Sequence, residues 1–218
     1  MFIGHFAVAL AAKPAAPSVS LGTLFLACEW VDLVWPAFLL AGLERVEIRP
    51  GITAFTPLDF VHYPWTHSLA MGAVWAAAFG LLYFLLRHNR NAALAVAAVV
   101  LSHWFLDLVV HRPDLPLVPG SDARWGLGLW NSIAATLALE AALFVAALVF
   151  YARRTRALDR IGSRGLWALV AFLGAAWLGA AFGPPPPSVE AIAWAGLIGG
   201  AVTVLLGYWV DRHRTMAA

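Results

Sequence analysis

Apolar runs of about twenty residues recur along most of this chain, and they constrain its fold more than any motif does. A helix rising 1.5 Å per residue needs about 20 apolar residues to cross roughly 30 Å of hydrocarbon. Six such runs are present: Ser20–Leu43, Thr66–Arg87, Asn91–His111, Leu129–Tyr151, Gly165–Phe182 and Val189–Val210. In lipid, every backbone N–H and C=O must be satisfied internally, so only helices and closed barrels span. A barrel would alternate apolar and polar residues in segments of roughly ten, and these runs do not alternate. The predicted fold is therefore all-α, a polytopic transmembrane helical bundle of six spans. Composition agrees: the chain is 62% hydrophobic and 12% charged, where a soluble domain is about 25% charged.

The 218 residues read as a single integral membrane domain. Residues 1–120 hold the polar motifs, and residues 121–218 supply three further spans. A seventh apolar piece, Phe2–Ala12, is too short to cross and reads as a short N-terminal helix ended by Pro14 and Pro17. No basic residue precedes it, so it is not read as a signal peptide. Cys28 is the only cysteine, which excludes an internal disulfide and a cysteine-based zinc site.

Lys13 is the only lysine, and the arginines lie in short loops, so they report topology rather than nucleic-acid binding. The turn Arg87–Arg90, the loop Arg153–Arg164 and the tail after Arg212 fall on one side of a six-span chain, and Lys13 joins them. The positive-inside rule makes that side, with the C-terminus, cytoplasmic. The expected location is the cell inner membrane. The segments Glu44–Trp65 and Arg112–Gly128 then lie outside.

Against this apolar background a few polar residues need explaining. His103, Asp107 and His111 recur at i, i+4 and i+8, on one side of a helix. An ionisable side chain costs about 2.5–3.5 kcal/mol at the centre of a membrane helix on insertion scales, so this ladder faces protein, water or a metal rather than lipid. An H-x₃-D pair can supply a nitrogen and an oxygen to one ion, or the Asp can orient the His from behind. A helix-packing hydrogen bond is the simpler alternative. His111 sits where the helix ends and can be a third ligand, a proton shuttle or a surface residue. Glu29 and Asp32 share a face of span one, as a neutral acid pair or around a cation. Thr66 is placed to cap span two, leaving His67 in its first turn. Ser132, Thr136 and Glu140 form a stripe on span four that could serve interhelical hydrogen bonding alone. His5 is weak by itself. Arg112 and Arg124 flank the loop after the ladder, where arginine suits phosphate or carboxylate and ordinary loop charge suits equally.

The order Gly4-His5-Phe6, Glu29-x₂-Asp32, Thr66-His67-Ser68 and Ser102-His103-x₃-Asp107 resembles the membrane-bound metal-dependent hydrolase family, also described as LexA-binding, inner-membrane-associated hydrolases. That family is distantly similar to zinc phospholipase C and P1-type nucleases. The resemblance covers roughly the first 120 residues and departs at the acidic motif, which reads Cys28-Glu29-Trp30-Val31-Asp32 rather than Pro-Asp-x-Asp. It implies a divalent metal site, with zinc favoured, held by His5, Asp32, His67, His103 and Asp107. It also implies hydrolysis of a lipid or amphiphilic phosphate or acyl ester. Glu29, Asp107 and His111 are the candidate acid–base groups, Asp32 serving as base if it does not bind the ion, and Arg112 and Arg124 are candidates to hold a head group. Expected surroundings are the bilayer and no nucleic acid; the oligomeric state is not read from the sequence. Two other readings use the same residues. One is a proton or metal-ion channel or transporter, with Glu29, Asp32, His103, Asp107 and Glu140 as a relay. The other is a non-catalytic scaffold in which the polar groups fix helix packing.

Overall fold

A computed structural model describes residues 1–217. Nine α-helices carry the fold among these residues: α1 (Ile3–Ala15), α2 (Leu21–Cys28), α3 (Trp30–Leu40), α4 (Pro64–His67), α5 (Leu69–Arg87), α6 (Arg90–Val110), α7 (Ile133–Arg154), α8 (Arg160–Phe182) and α9 (Val189–Arg212). Three short antiparallel pairs lie between them. They join β1 (Arg45–Ile48) to β2 (Leu58–His62), β3 (Leu115–Pro116) to β4 (Arg124–Trp125), and β5 (Thr155–Ala157) to β6 (Arg214–Met216). Helices α5 to α9 are each long and apolar enough to cross a membrane, and α2 with α3 make a sixth span broken by a 51° bend. The all-α multi-pass bundle expected from the sequence is the fold observed.

The break corrects the single continuous helix expected over Ser20–Leu43. It falls at Glu29, which ends α2 and precedes α3. Pro36 inside α3 has no N–H to give to the Asp32 carbonyl, so the start of α3 is already short of one ladder bond. Instead of riding one regular helix, Glu29 sits at the hinge and Asp32 in the first turn beyond it.

Helix α1 does not lie at the edge. His5, Phe6, Ala9 and Leu10 are all buried, and it packs mainly on α7, α2 and α6. Lys13, near its last turn, donates to the Pro17 and Val19 carbonyls and pairs with Asp211 at 3.0 Å. Helix α1 thus enters from the basic end of the bundle and brings its first turn to the middle. At that same end β5 pairs with β6, joining the arginine-rich loop to the C-terminal tail, and Asn89 reaches Ser18. The β1–β2 and β3–β4 pairs occupy the opposite end, where Phe55 N–H donates to the Trp130 carbonyl.

Helices α5 and α6 form a close hairpin. The only buried residues of α5 are Gly72, Ala76 and Gly80, a small-residue stripe with a period of four. A Cβ on Gly80 would lie 2.9 Å from the Ala97 Cβ and 3.1 Å from the Ala93 carbonyl oxygen. Close backbone approach of this kind holds membrane helices together where hydrophobic burial cannot, because lipid is as apolar as leucine. The inward stripe of α6 runs from Ala92 and Ala93 through Val96, Val99 and Val100 and continues as His103, Asp107 and Val110. The same periodicity that buries the valines therefore aims the histidine and the aspartate at the centre.

Candidate metal centre

Five residues from four separate elements meet in the half of the bundle away from the basic end. They are His5 from α1, Asp32 from α3, His67 from α4, and His103 and Asp107 from α6. The four histidine and aspartate side chains other than Asp32 are almost fully buried, and Asp32 is partly open to a cavity. His67 Nε2 lies 3.2 Å from Asp32 Oδ1 and 3.9 Å from Asp107 Oδ2. His103 Nε2 lies 3.6 Å from Asp32 Oδ1 and 3.0 Å from Asp107 Oδ2. His5 approaches the other oxygen, with Nε2 3.2 Å from Asp107 Oδ1, and stacks on the His103 ring at 3.7 Å. The Met1 amino group also lies against Asp107 Oδ1.

The tautomers follow from the outer bonds. His103 Nδ1 lies 2.9 Å from the Cys28 carbonyl, which can only accept, so Nδ1 carries the proton. Thr66 Oγ1 is 2.7 Å from Glu44 Oε2 and 2.7 Å from His67 Nδ1. Glu44 can only accept, so Thr66 donates to it and accepts from the Nδ1–H of His67. Both rings have therefore committed a proton away from the cluster, which leaves each Nε2 as a lone pair pointing at carboxylate oxygens. His103 Nε2 is buried with no hydrogen-bond partner. Lone pairs facing carboxylates in a buried site repel unless a positive species lies between them, either a second proton on each ring or a metal ion.

The donor geometry fits an ion. Bonds of 2.0–2.2 Å arranged tetrahedrally place neighbouring ligand atoms about 3.4 Å apart. The four N···O separations, from 3.0 to 3.9 Å, scatter about that value. Two triads that share His103, Asp32–His67–His103 and His5–His103–Asp107, each bring donor atoms close enough to hold a metal ion. The outer bonds are those that orient metal-binding histidines, namely a backbone carbonyl behind His103 and a hydroxyl–carboxylate pair behind His67.

Thr66 does not cap span two, as the sequence led one to expect. Ser68 does, accepting from Met71 N–H, and α4 ends one residue earlier as a separate turn. Thr66 is thereby released to Glu44, whose carboxylate also accepts the backbone N–H groups of Trp65 and Thr66 at 2.8 and 2.9 Å. Glu44 was not singled out in the sequence. Glu140 anchors α1 by accepting the N–H groups of Phe2 and Gly4 at 2.9 and 3.3 Å, which sets the height of His5.

A cavity of about 720 Å³ opens onto the cluster, lined at its polar end by Glu29, Asp32, His67, Asp107 and His111. Glu29 Oε1 is buried and unpartnered. His111 Nδ1 lies 2.9 Å from Asp114 Oδ1, which leaves Nε2 as its available nitrogen. Tyr63 donates to the same Asp114 oxygen at 2.8 Å, and burial, with the Asp114 charge beside it, pushes its phenol well above the ordinary range. Arg112 and Arg124 are not brought to the cavity. Arg112 pairs with Asp59 and with Asp114, and Arg124 is exposed and bonded to the Ser121 and Ala123 carbonyls. No protein-family model, curated protein or solved structure matches this chain.

Proposed function

We propose that this protein is a membrane-embedded, metal-dependent hydrolase of lipid or other amphiphilic phosphate or acyl esters, with zinc at the centre formed by His5, Asp32, His67, His103 and Asp107. The observation that carries this reading is the pair of imidazoles whose Nδ1 protons are held from outside while both Nε2 lone pairs converge on two carboxylates. Imidazole and carboxylate together suit zinc. An ion there would lower the pKa of a bound water towards about 7 and polarise a phosphoryl or acyl oxygen.

The chain's own residues divide the remaining work. Glu29, with one oxygen unpartnered at the cavity wall, is the acceptor for the proton that the nucleophile loses. His111, held in orientation by Asp114, is placed to return a proton to the leaving group. Asp107 serves as ligand and as the anchor of His5 rather than as the base. Among the described residues that line the cavity there is no lysine or arginine side chain, so a head group would be held at the metal centre instead of by Arg112 or Arg124.

A conduit for protons or ions would need polar groups at every depth. Between the cluster and the basic end the buried residues are mainly apolar, Phe6, Leu10, Leu24, Phe25, Val96 and Val100 among them, with Tyr151 close to the basic end, which favours a closed site over a continuous path. The basic end is assigned to the cytoplasm, so the cavity faces the outer half of the inner membrane.

Metal content, measured by plasma mass spectrometry on detergent-purified protein, tests the reading. Near-stoichiometric zinc is expected in the wild type, with loss of the ion in His67→Ala, His103→Ala and Asp107→Ala. No metal in folded protein after zinc is added back would sink it. Zinc bound without turnover of any phosphate or acyl ester in a substrate screen would leave a metal site but no hydrolase.

A further inference from the structure

The cavity extends well beyond the polar cluster, and its far wall has an unusual composition. Ala176, Gly179 and Ala180 of α8 and Ala195, Gly196 and Gly199 of α9 line it. These two helices approach closely near the basic end. A Cβ on Gly162 would lie 1.9 Å from the His213 carbonyl oxygen, and one on Gly165 would lie 3.2 Å from the Trp209 ring. Farther along, a Cβ on Gly179 or Gly199 would meet no atom within 4 Å. The helices therefore part where their residues are smallest. The turn of four prolines, Pro184–Pro187, joins them beyond the gap.

The dimensions follow from helix rise. The lining runs along α8 from Phe172 to Gly183 just past its end, and on α9 from Ile192 to Thr203. Each stretch is about 16 Å long at 1.5 Å per residue, close to one leaflet of a roughly 30 Å hydrocarbon core. Among the residues of these stretches that line the cavity, the one side chain with a hydrogen-bonding group is Thr203, and its hydroxyl is already given to the Gly199 carbonyl at 2.8 Å. Nothing on this wall would solvate a sugar, a peptide or an ion. A slot of leaflet length, apolar throughout and continuous with Asp32, His67 and Asp107 at its inner end, has the chemistry of a hydrocarbon-chain site.

We propose that the gap between α8 and α9 is a lateral entry slot holding one acyl chain of a membrane lipid, whose ester group then lies at the metal centre. The chain site stands on the slot alone; only the placement of the ester rests on the hydrolase reading. Phe2 and Trp130 line the same cavity from inside the bundle. A chain that enters between the helices reaches them, whereas bulk lipid does not.

The test uses the full-length protein reconstituted in phosphatidylethanolamine–phosphatidylglycerol nanodiscs, with phosphatidylglycerol carrying a diazirine midway along one acyl chain. After irradiation, mass spectrometry maps the adducts, and metal content is read on the same samples. Adducts on Phe2 or Trp130 as well as on the 176–180 and 195–199 stretches are expected. Ala176→Leu and Gly199→Leu should abolish the inner adducts, while labelling of the outward α5 residues Leu81 and Leu85 persists. If either variant fails to fold, the wild-type map decides alone. Wild-type adducts confined to outward residues would overturn the slot whether or not zinc is present, and so would inner adducts that survive both substitutions in folded protein. Absence of metal in a wild type that still gives inner adducts would remove the hydrolase reading and leave the chain site in place.

Discussion

Glu44 shows what a single buried carboxylate can do at a distance from the chemistry. It accepts three hydrogen bonds, one of them from the Thr66 hydroxyl that in turn fixes the proton of His67. Removing such an outer partner from a metal-binding histidine weakens affinity about 10- to 100-fold. Glu44→Gln and Thr66→Val are each expected to weaken zinc binding by an amount in that range without removing a ligand, as measured by chelator competition on purified protein. Unchanged affinity in both would show that His67 needs no such support. The clustered residues themselves were largely legible, because His103 and Asp107 announce a shared helix face and His67 stands in a dense polar segment. Glu44 was not, since it lies 22 residues from Thr66 in a loop whose path no spacing rule describes. Thr66 misled for a related reason. Thr66 and Ser68 are both good capping residues, and only tertiary placement decided that Ser68 caps while Thr66 turns to Glu44.

At the scale of elements, helix pairing in this bundle depends on residues that have no side chain to speak of. Gly80 approaches both the Ala97 side chain and the Ala93 backbone, and the backbone cannot yield. Gly80→Ala is therefore expected to destabilise by about 1–3 kcal/mol, the usual cost of overpacking. Gly174→Ala is the matched control, since its added Cβ meets nothing within 4 Å; it should be neutral or gain up to about 1 kcal/mol through helix propensity. Unfolding by denaturant in detergent micelles checks both, and equal effects at the two sites would remove the special role of the α5–α6 contact. The spans were legible because twenty apolar residues can do little else in a bilayer. The 51° break at Glu29 was not, because no glycine or proline stands at it. The one proline of this span, Pro36, lies two turns beyond the bend. The entry of α1 into the core was legible only conditionally: given Lys13 at the basic end, His5 could reach the cluster if the helix ran inward, and it does.

For the whole molecule, the two ends have different chemistry, and that difference sets which leaflet the cavity opens towards. Lys13, the turn at Asn89, the β5–β6 pair and the tail all gather at one end. The cavity, the β1–β2 pair and the β3–β4 loop lie toward the other. The arginine-bearing loops are short, the regime in which positive charge governs insertion, so the basic end is expected in the cytoplasm and the cavity toward the outer leaflet. The chain lends itself to a direct check, because its single cysteine, Cys28, is buried and should not react with a membrane-impermeant maleimide. Asp122→Cys, in the exposed loop before β4, should be labelled in spheroplasts. Leu158→Cys, exposed just after β5, should be labelled only after lysis. The reverse pattern would turn the molecule over, bring the α8–α9 gap to the inner leaflet, and require any lipid substrate to be drawn from the cytoplasmic side.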